Sequence, residues 1–366
     1  MNSFKVLHTA DIHFDTPFES IPANIAHLRK DDVFKSFSKL IDLAKEEKVD
    51  AILIAGDLFD SQYVKPMTIK YLQNIFSKIP EIMVFIAPGN HDYINENSIF
   101  KTIEFPQNVY VFKGDMERVR LKDKNVSIYG AAFTSQFVNE SLLKGFSADD
   151  ENEINIGVIH GTIITCGEYN PMAPSDIENS KLDYLALGHV HEYLGATKFG
   201  KTTCCYCGTL EGKGFDEAGE KGAVICEISK ENISVRFIPL CQRQYINLKC
   251  DISEAKTYDD IVEIIINNMG KDREKHLYKI ILEGEVDKDL HINTNILCQR
   301  LQNETFFVKI EDKTSIRLDL GSLANLPGLK GAFVRELLEK SGDPHFKEAL
   351  KLGFLAFDGA KLEEII

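Results

Sequence analysis

No run of apolar residues in this chain is long enough to span a bilayer as a helix. No internal repeat or low-complexity tract is present, which excludes solenoid and fibrous architectures. Positive charge is in deficit: 42 Lys and Arg face 56 Asp and Glu, for a formal net charge of −14. The deficit runs through both parts of the chain, so neither is a generic polyanion binder. A nucleic-acid substrate would require local basic spots and bound metal to offset this field. The 8 Cys include only one close group, Cys204, Cys205 and Cys207, in a stretch that reads as a strand. With no second pair to complete a zinc site, packed thiols in a reducing compartment are the better reading. The start, Met1-Asn2-Ser3-Phe4-Lys5, lacks the features of a signal peptide, and a cytoplasmic protein is expected.

What is present is a succession of short apolar strands, each ending in residues that can bind metal. Ala51–Ala55 reads as a buried parallel strand, closed by Gly56 and followed by Asp57. Open α/β sheets place ligands at such carboxyl ends. Phe4–His8 leads to Asp11 and His13, two residues apart, a spacing that in extended chain aims both side chains one way. Asp31–Lys48 has helical periodicity, and Pro66 opens a second helix. Ile82–Ile86 then ends in Gly89-Asn90-His91-Asp92. Strand, helix, strand, helix, strand predicts a right-handed parallel sheet. Further strands end at His160-Gly161 and at Gly188-His189-Val190-His191.

Each motif alone has a plain reading: Asp after a strand is a turn residue, Gly-Asn-His-Asp a turn, a strand-end His a surface group. Five of the 10 His, namely His13, His91, His160, His189 and His191, follow apolar strand runs, which favours one shared site. Asp11, His13, Asp57, Asn90, His160, His189 and His191 supply seven oxygen and nitrogen donors without a thiol. That set suits two divalent cations, manganese first and Mg2+, Fe2+ or Zn2+ as alternatives, with Asp57 bridging them. Such a pair clamps a phosphate and activates water for direct attack. His91 is expected to protonate the leaving oxygen, with Asp92 tuning it.

Three segments have weaker signals. Arg118, Arg120, Lys122 and Lys124 alternate as on the solvent face of a hairpin. Gly208–Gly214 is glycine-rich with one base, Lys213, and reads as a turn before it reads as a substrate loop. Thr203–Cys207, Ala223–Ile228 and Ile233–Ile238 are expected to complete a second sheet. After Pro239 a β-α-β-α-β pattern follows, and beyond Pro327 short helices carry Phe333, Leu337 and Phe346. The domains expected are a catalytic one over 1–244, an α+β module over 245–326 and a short helical segment over 327–366 that could dock a partner.

Asp11-x-His13, Gly56-Asp57-x-x-Asp60, Gly89-Asn90-His91-Asp92, His160-Gly161 and Gly188-His189-x-His191 resemble, in order, the five signature blocks of the calcineurin-like metallophosphoesterases. Thr9–His13 with Asp15-Thr16-Pro17, Ala55–Asp60 and Ala186–Glu192 resemble the branch of SbcD-like DNA-repair exonuclease subunits. The resemblance implies an α/β fold, a four-layer αββα sandwich with a smaller C-terminal α+β capping module. It implies Mn2+-dependent cleavage of DNA, a homodimer and an SbcC-like ATPase partner. It assigns Asp11, His13, Asp57 and His191 to one metal, and Asp57, Asn90, His160 and His189 to the other. It adds Asp60 to His91 and Asp92 as residues acting in catalysis. Two alternatives stay open: a phosphodiesterase or phosphatase for small nucleotides or phosphoproteins, and a non-catalytic scaffold for an ATPase.

Overall fold

The structure is a computed structural model that describes residues 3–317 and 319–357. Contacts between residues divide the chain into two compact units. One comprises Met1–Leu248, Gly270–Lys279 and Leu301–Lys309; the other comprises Lys249–Met269, Ile280–Arg300 and Ile310–Ile366. The division interleaves stretches of the chain, so the boundaries expected at 245 and 327 remain a proposal about separable folding. Residues 358–366 of the last expected segment lie outside the described residues.

The first unit is an α/β sandwich. Its elements, in chain order, are β1 (Phe4–Thr9), α1 (Ala23–Glu46), β2 (Ala51–Ile54), α2 (Pro66–Phe76), β3 (Met83–Ile86), β4 (Val109–Val111), β5 (Glu117–Leu121), β6 (Val126–Gly130), β7 (Ile154–His160), α3 (Pro174–Asn179), β8 (Tyr184–Gly188), β9 (Ala196–Phe199), β10 (Thr202–Tyr206), β11 (Gly222–Ile228) and β12 (Ile233–Pro239). They form two six-stranded sheets, ordered β12-β11-β1-β2-β3-β4 and β5-β6-β7-β8-β10-β9. Side chains alternate across a strand, so a strand buried on both faces feeds two cores. Val6, Leu53 and Phe85 pack between the sheets with Ile128, Ile156 and Ala186. Their neighbours Leu7, Ile52 and Val84 point outward against Phe37 and Leu40 of α1 and Leu72 and Phe76 of α2. Leu185 and Leu187 do the same against Ile177 of α3. The result is four layers, helix, sheet, sheet, helix.

The expectation that β11 and β12 belong to the second sheet with β10 is corrected here. Both join the first sheet, where β11 pairs antiparallel with β1, Val6 opposite Cys226, and β12 pairs with β11. A parallel ladder occupies only one side of β1, through β2, and leaves the other side open to a late strand. The alternation of β11 and β12 is compatible with either sheet. The thiols of Cys204, Cys205 and Cys207 are free and buried. Arg118 and Arg120 of edge strand β5 are not a free basic face: both pair with the buried carboxylate of Glu153.

After Pro239 the chain adds a three-stranded sheet of Tyr245–Asp251, Leu277–Glu283 and Phe307–Asp312, the middle strand being Leu277–Glu283. In the second unit the helix Tyr258–Asn268 starts from a capping box. The Thr257 hydroxyl accepts from Asp260 N, and the Asp260 carboxylate accepts from Thr257 N. Phe333, Leu337 and Phe346 are half-buried, and the Phe333 ring packs edge-on against Phe357 at 5.4 Å. No described helix is long and apolar enough to cross a membrane.

One buried ionic network fixes α1 to the long loop after β10. Arg29, fully buried, donates to Asp32 Oδ2 at 2.8 Å and to Glu211 Oε2 at 2.7 Å, with a third bond to the Gly212 carbonyl. Ser36 and Gln242 N both donate to the same Glu211 carboxylate. Removing one partner would strand a buried charge, a loss of about 3–5 kcal/mol. Arg29→Met is therefore expected to lower the urea midpoint sharply, and Arg29→Met with Glu211→Leu to recover much of the loss. Equal midpoints for wild type and the single variant would show that the pair carries no such penalty.

Candidate metal centre

All seven expected donors sit at the carboxyl ends of β1, β2, β3, β7 and β8, and the structure brings them together. The backbone there is not extended. Asp11, His13 and Asp57 have φ values of 51°, 50° and 50°, and His189 has 95°. The Asp11–His13 pair thus converges for a different reason from the period-two argument. Past Thr9 the chain bends through left-handed residues while Asp11 N and His13 N donate to Gly56 O and Asp57 O, each at 3.0 Å. Asp and His tolerate this region better than branched residues do, and left-handed strain held by neighbours is typical of functional sites. Gly56, at φ 95°, and Gly188 allow the close approach: a Cβ on Gly56 would run into the His160 ring, and one on Gly188 into the Ala55 carbonyl.

Two half-sites share Asp57. In one, His13 Nε2 and His191 Nε2 are 3.3 Å apart, and Asp11 Oδ1 lies 3.5 Å from His191 Nε2. In the other, Asn90 Oδ1 lies 2.9 Å from His160 Nε2 and 3.3 Å from His189 Nδ1. Asp57 Oδ2 is 3.8 Å from His13 Nε2 and 3.4 Å from His160 Nε2, within reach of both. Asp57 Oδ1 accepts from His91 N at 3.0 Å.

The residues fit divalent cations, as their outward nitrogens show. His160 Nδ1 lies 2.9 Å from the Ala55 carbonyl, and His191 Nδ1 lies 2.7 Å from Glu217 Oε1. Each bond places the proton on Nδ1 and turns an Nε2 lone pair inward, toward the oxygens of Asn90, Asp57 and Asp11. Acceptors aimed at acceptors need a proton or a metal cation between them. The protein's own charges reveal the same tension. Burial, then repulsion from His160, pushes His189 down to about 4. Burial also opposes a charge on His191, but Asp11 and Glu217 outweigh it and push it up to about 9.

Asp60 does two jobs. Its Oδ1 lies 3.1 Å from His13 Nδ1, and its carbonyl lies 2.9 Å from His91 Nδ1. Asp92 does not touch the His91 ring. Its carboxylate accepts from Phe59 N at 3.1 Å and Gly89 N at 2.7 Å, stapling the loops of Asp57 and Asn90 together. Burial and the charge of Asp57 push it up to about 7. The task expected of Asp92, orienting the His91 imidazole, falls to the Asp60 carbonyl. His91 itself is exposed, edge-on to His13 at 4.8 Å.

Sequence reasoning missed Glu217 and Asn170. Glu217 holds His191 through Oε1 and the Lys213 amide through Oε2, the latter at 2.9 Å. The Asn170 amide donates to the His160 carbonyl at 2.7 Å and accepts from Leu142 N. Neither belongs to a strand-end block, and no spacing in the sequence ties them to their histidines.

Residues 4–193 match the family described as calcineurin-like phosphoesterases. The chain is 29% identical over 301 residues to the uncharacterised metallophosphoesterase YhaO of Bacillus subtilis, covering 78% of this chain and 72% of that one. It is 25% identical to the DNA double-strand break repair protein Mre11 of Saccharolobus solfataricus, covering 78% and 77%. It is 27% identical to the D subunit of the nuclease SbcCD of Staphylococcus saprophyticus, covering 82% and 85%. Among solved structures, a dimetal phosphatase from Danio rerio aligns at a TM-score of 0.43 and 10% identity, over 64% of this chain and 95% of that one.

Glu217→Ala should weaken one of two metal sites by about 10–100-fold, the usual cost of losing a carboxylate behind a ligating histidine. Calorimetric titration with Mn2+ measures this, and melting without metal checks the loop. Equal weakening of both sites would mean that Glu217 does not act through His191.

Proposed function

From the premise that this chain belongs to the calcineurin-like phosphoesterases, we propose that it is a dinuclear metal-dependent phosphodiesterase that cleaves DNA. The observation that carries the reading is the convergence of seven oxygen and nitrogen donors on one site, with Asp57 between its two halves and an exposed His91 beside them. In this reading Asp11, His13, Asp57 and His191 hold one ion, and Asp57, Asn90, His160 and His189 the other. Manganese ranks first because hard oxygens and borderline imidazoles are mixed without thiolate.

When bound, two such ions polarise the phosphoryl oxygens and make water a nucleophile at neutral pH. The remaining work belongs to side chains. His91 presents Nε2 to the leaving oxygen and gives it a proton, while the Asp60 carbonyl retains the Nδ1 proton and fixes the ring. Asp60 and Glu217 hold His13 and His191 from behind. Asp92 keeps the Asp57 and Asn90 loops in register. No Ser or Cys nucleophile is required, so hydrolysis is direct.

Support for DNA as substrate comes from the likeness to Mre11 and to the SbcCD nuclease. The likeness to a subunit of SbcCD supports an SbcC-like ATPase as a partner; a second copy of the chain and a cytoplasmic setting belong to the same proposal. One observation favours small nucleotides instead. After Tyr245 the basic residues Lys249, Arg273 and Lys275 each pair with a carboxylate, Glu283, Glu304 and Asp272 in turn.

The test is purified full-length protein with Mn2+, assayed side by side on end-labelled DNA and on a small phosphodiester. Cleavage of DNA supports the nuclease; turnover of the small ester alone supports the second reading. His91→Ala is expected to keep two ions per chain by elemental analysis while the rate falls roughly 10²–10⁴-fold. A metal-depleted variant would make His91 a ligand and overturn its role as acid.

A further inference from the structure

A ladder of rings leads outward from the half-site of Asn90 and His160. The His189 ring lies 4.8 Å from that of Tyr169 at an interplanar angle of 33°, and Tyr169 lies 5.7 Å from Phe137 at 43°. Tyr169 is half-buried, and Phe137 ends the ladder with 46% of its surface exposed. The two loops that carry the rings are joined by backbone bonds, Val138 N to Glu168 O at 2.8 Å and Asn170 N to Val138 O at 2.7 Å. Asn170 then ties them to the His160 carbonyl. Phe137 is therefore held in register with the metal ligands rather than attached to a loose surface loop.

We propose that Phe137, backed by Tyr169, is a stacking platform for an unpaired nucleobase next to the scissile phosphate. The proposal rests on the phosphodiesterase reading above and narrows its substrate to single-stranded nucleic acid. Phe137 stands two ring spacings, 4.8 Å and 5.7 Å, out from a proposed metal ligand, close to where the phosphate must bind. That spacing suits the base attached to the adjoining sugar. Every base offers a π-face, so such a platform binds without reading sequence. A base within a duplex has both faces covered and cannot use it. The exposed Glu168 precedes Tyr169, so the ladder's outer end suits an uncharged base better than a phosphate.

The chain contains no tryptophan, so Phe137→Trp creates a sole reporter. The full-length variant, loaded with Ca2+ to prevent turnover, is titrated with oligothymidylate, an abasic oligonucleotide of equal length and a blunt duplex. Saturable quenching is expected with oligothymidylate and not with the other two. In Mn2+ assays, Phe137→Ala should raise KM for oligothymidylate about 5- to 150-fold, the range that stacking of one base supplies, with kcat and metal content held. Phe137→Tyr should restore it, and on the abasic oligonucleotide Phe137→Ala and wild type should have equal KM. Equal quenching by abasic and normal strands, or an equal KM change on both, overturns the platform and leaves the nuclease standing. Quenching that follows protein concentration alone assigns Phe137 to self-association and also overturns it. Turnover of small phosphodiesters with neither binding nor cleavage of any oligonucleotide overturns the nuclease reading and the platform with it.

Discussion

The Asp57 carboxylate is the constraint around which the first unit is arranged. One oxygen is held by the backbone of the Asn90–Asp92 loop, and the other lies between imidazoles of two half-sites. Asp11, Asp57 and Asp92 bring three carboxylates into a space almost closed to water. Such a cluster is unfavourable unless positive charge balances it. Without metal, protons on His191 and on Asp92 supply that balance, and burial with the charge of Asp57 holds Asp92 far above the ordinary carboxylate range. With metal, cations would displace those protons, so ion binding and proton release are coupled and binding adds to the stability of the folded chain.

Support for this cluster comes from layers of ordinary packing. The two sheets put apolar side chains behind every strand that ends at the site, and His8 adds a polar link between them through the Tyr184 hydroxyl and the Leu187 carbonyl. The Arg29–Glu211 pair anchors the start of the loop whose later part presents Glu217 to His191. A residue on α1 thus helps to set the aim of an imidazole it never touches.

The strand-end blocks were legible because their signal is local: an apolar run, a glycine, then a donor. The seven donors and His91 could be named from that pattern, and the likeness to known phosphoesterases rests on the same residues. What was not legible depends on tertiary placement. Glu217 meets His191 only because the loop after β10 folds back, and Asp92 reaches Phe59 N only because two loops meet. The left-handed turn at Asp11 and His13 is imposed by hydrogen bonds to Gly56 and Asp57, so an argument from extended geometry does not describe how the pair converges. The sheet to which β11 belongs was misplaced because apolar alternation encodes faces and not neighbours.

The pairing of β1 with β11 also bears on how the chain is made. Phe4 leaves the ribosome long before its partner Ile228, which follows only after most of the first unit has emerged. Throughout that interval one edge of a central, largely buried strand has its amides and carbonyls uncovered. Open edges of this kind invite pairing with other chains, and contacts so distant in sequence form late. A nascent chain stalled before β11 thus keeps an open edge on β1, and the speed of synthesis from β1 to β11 decides how long it stays so.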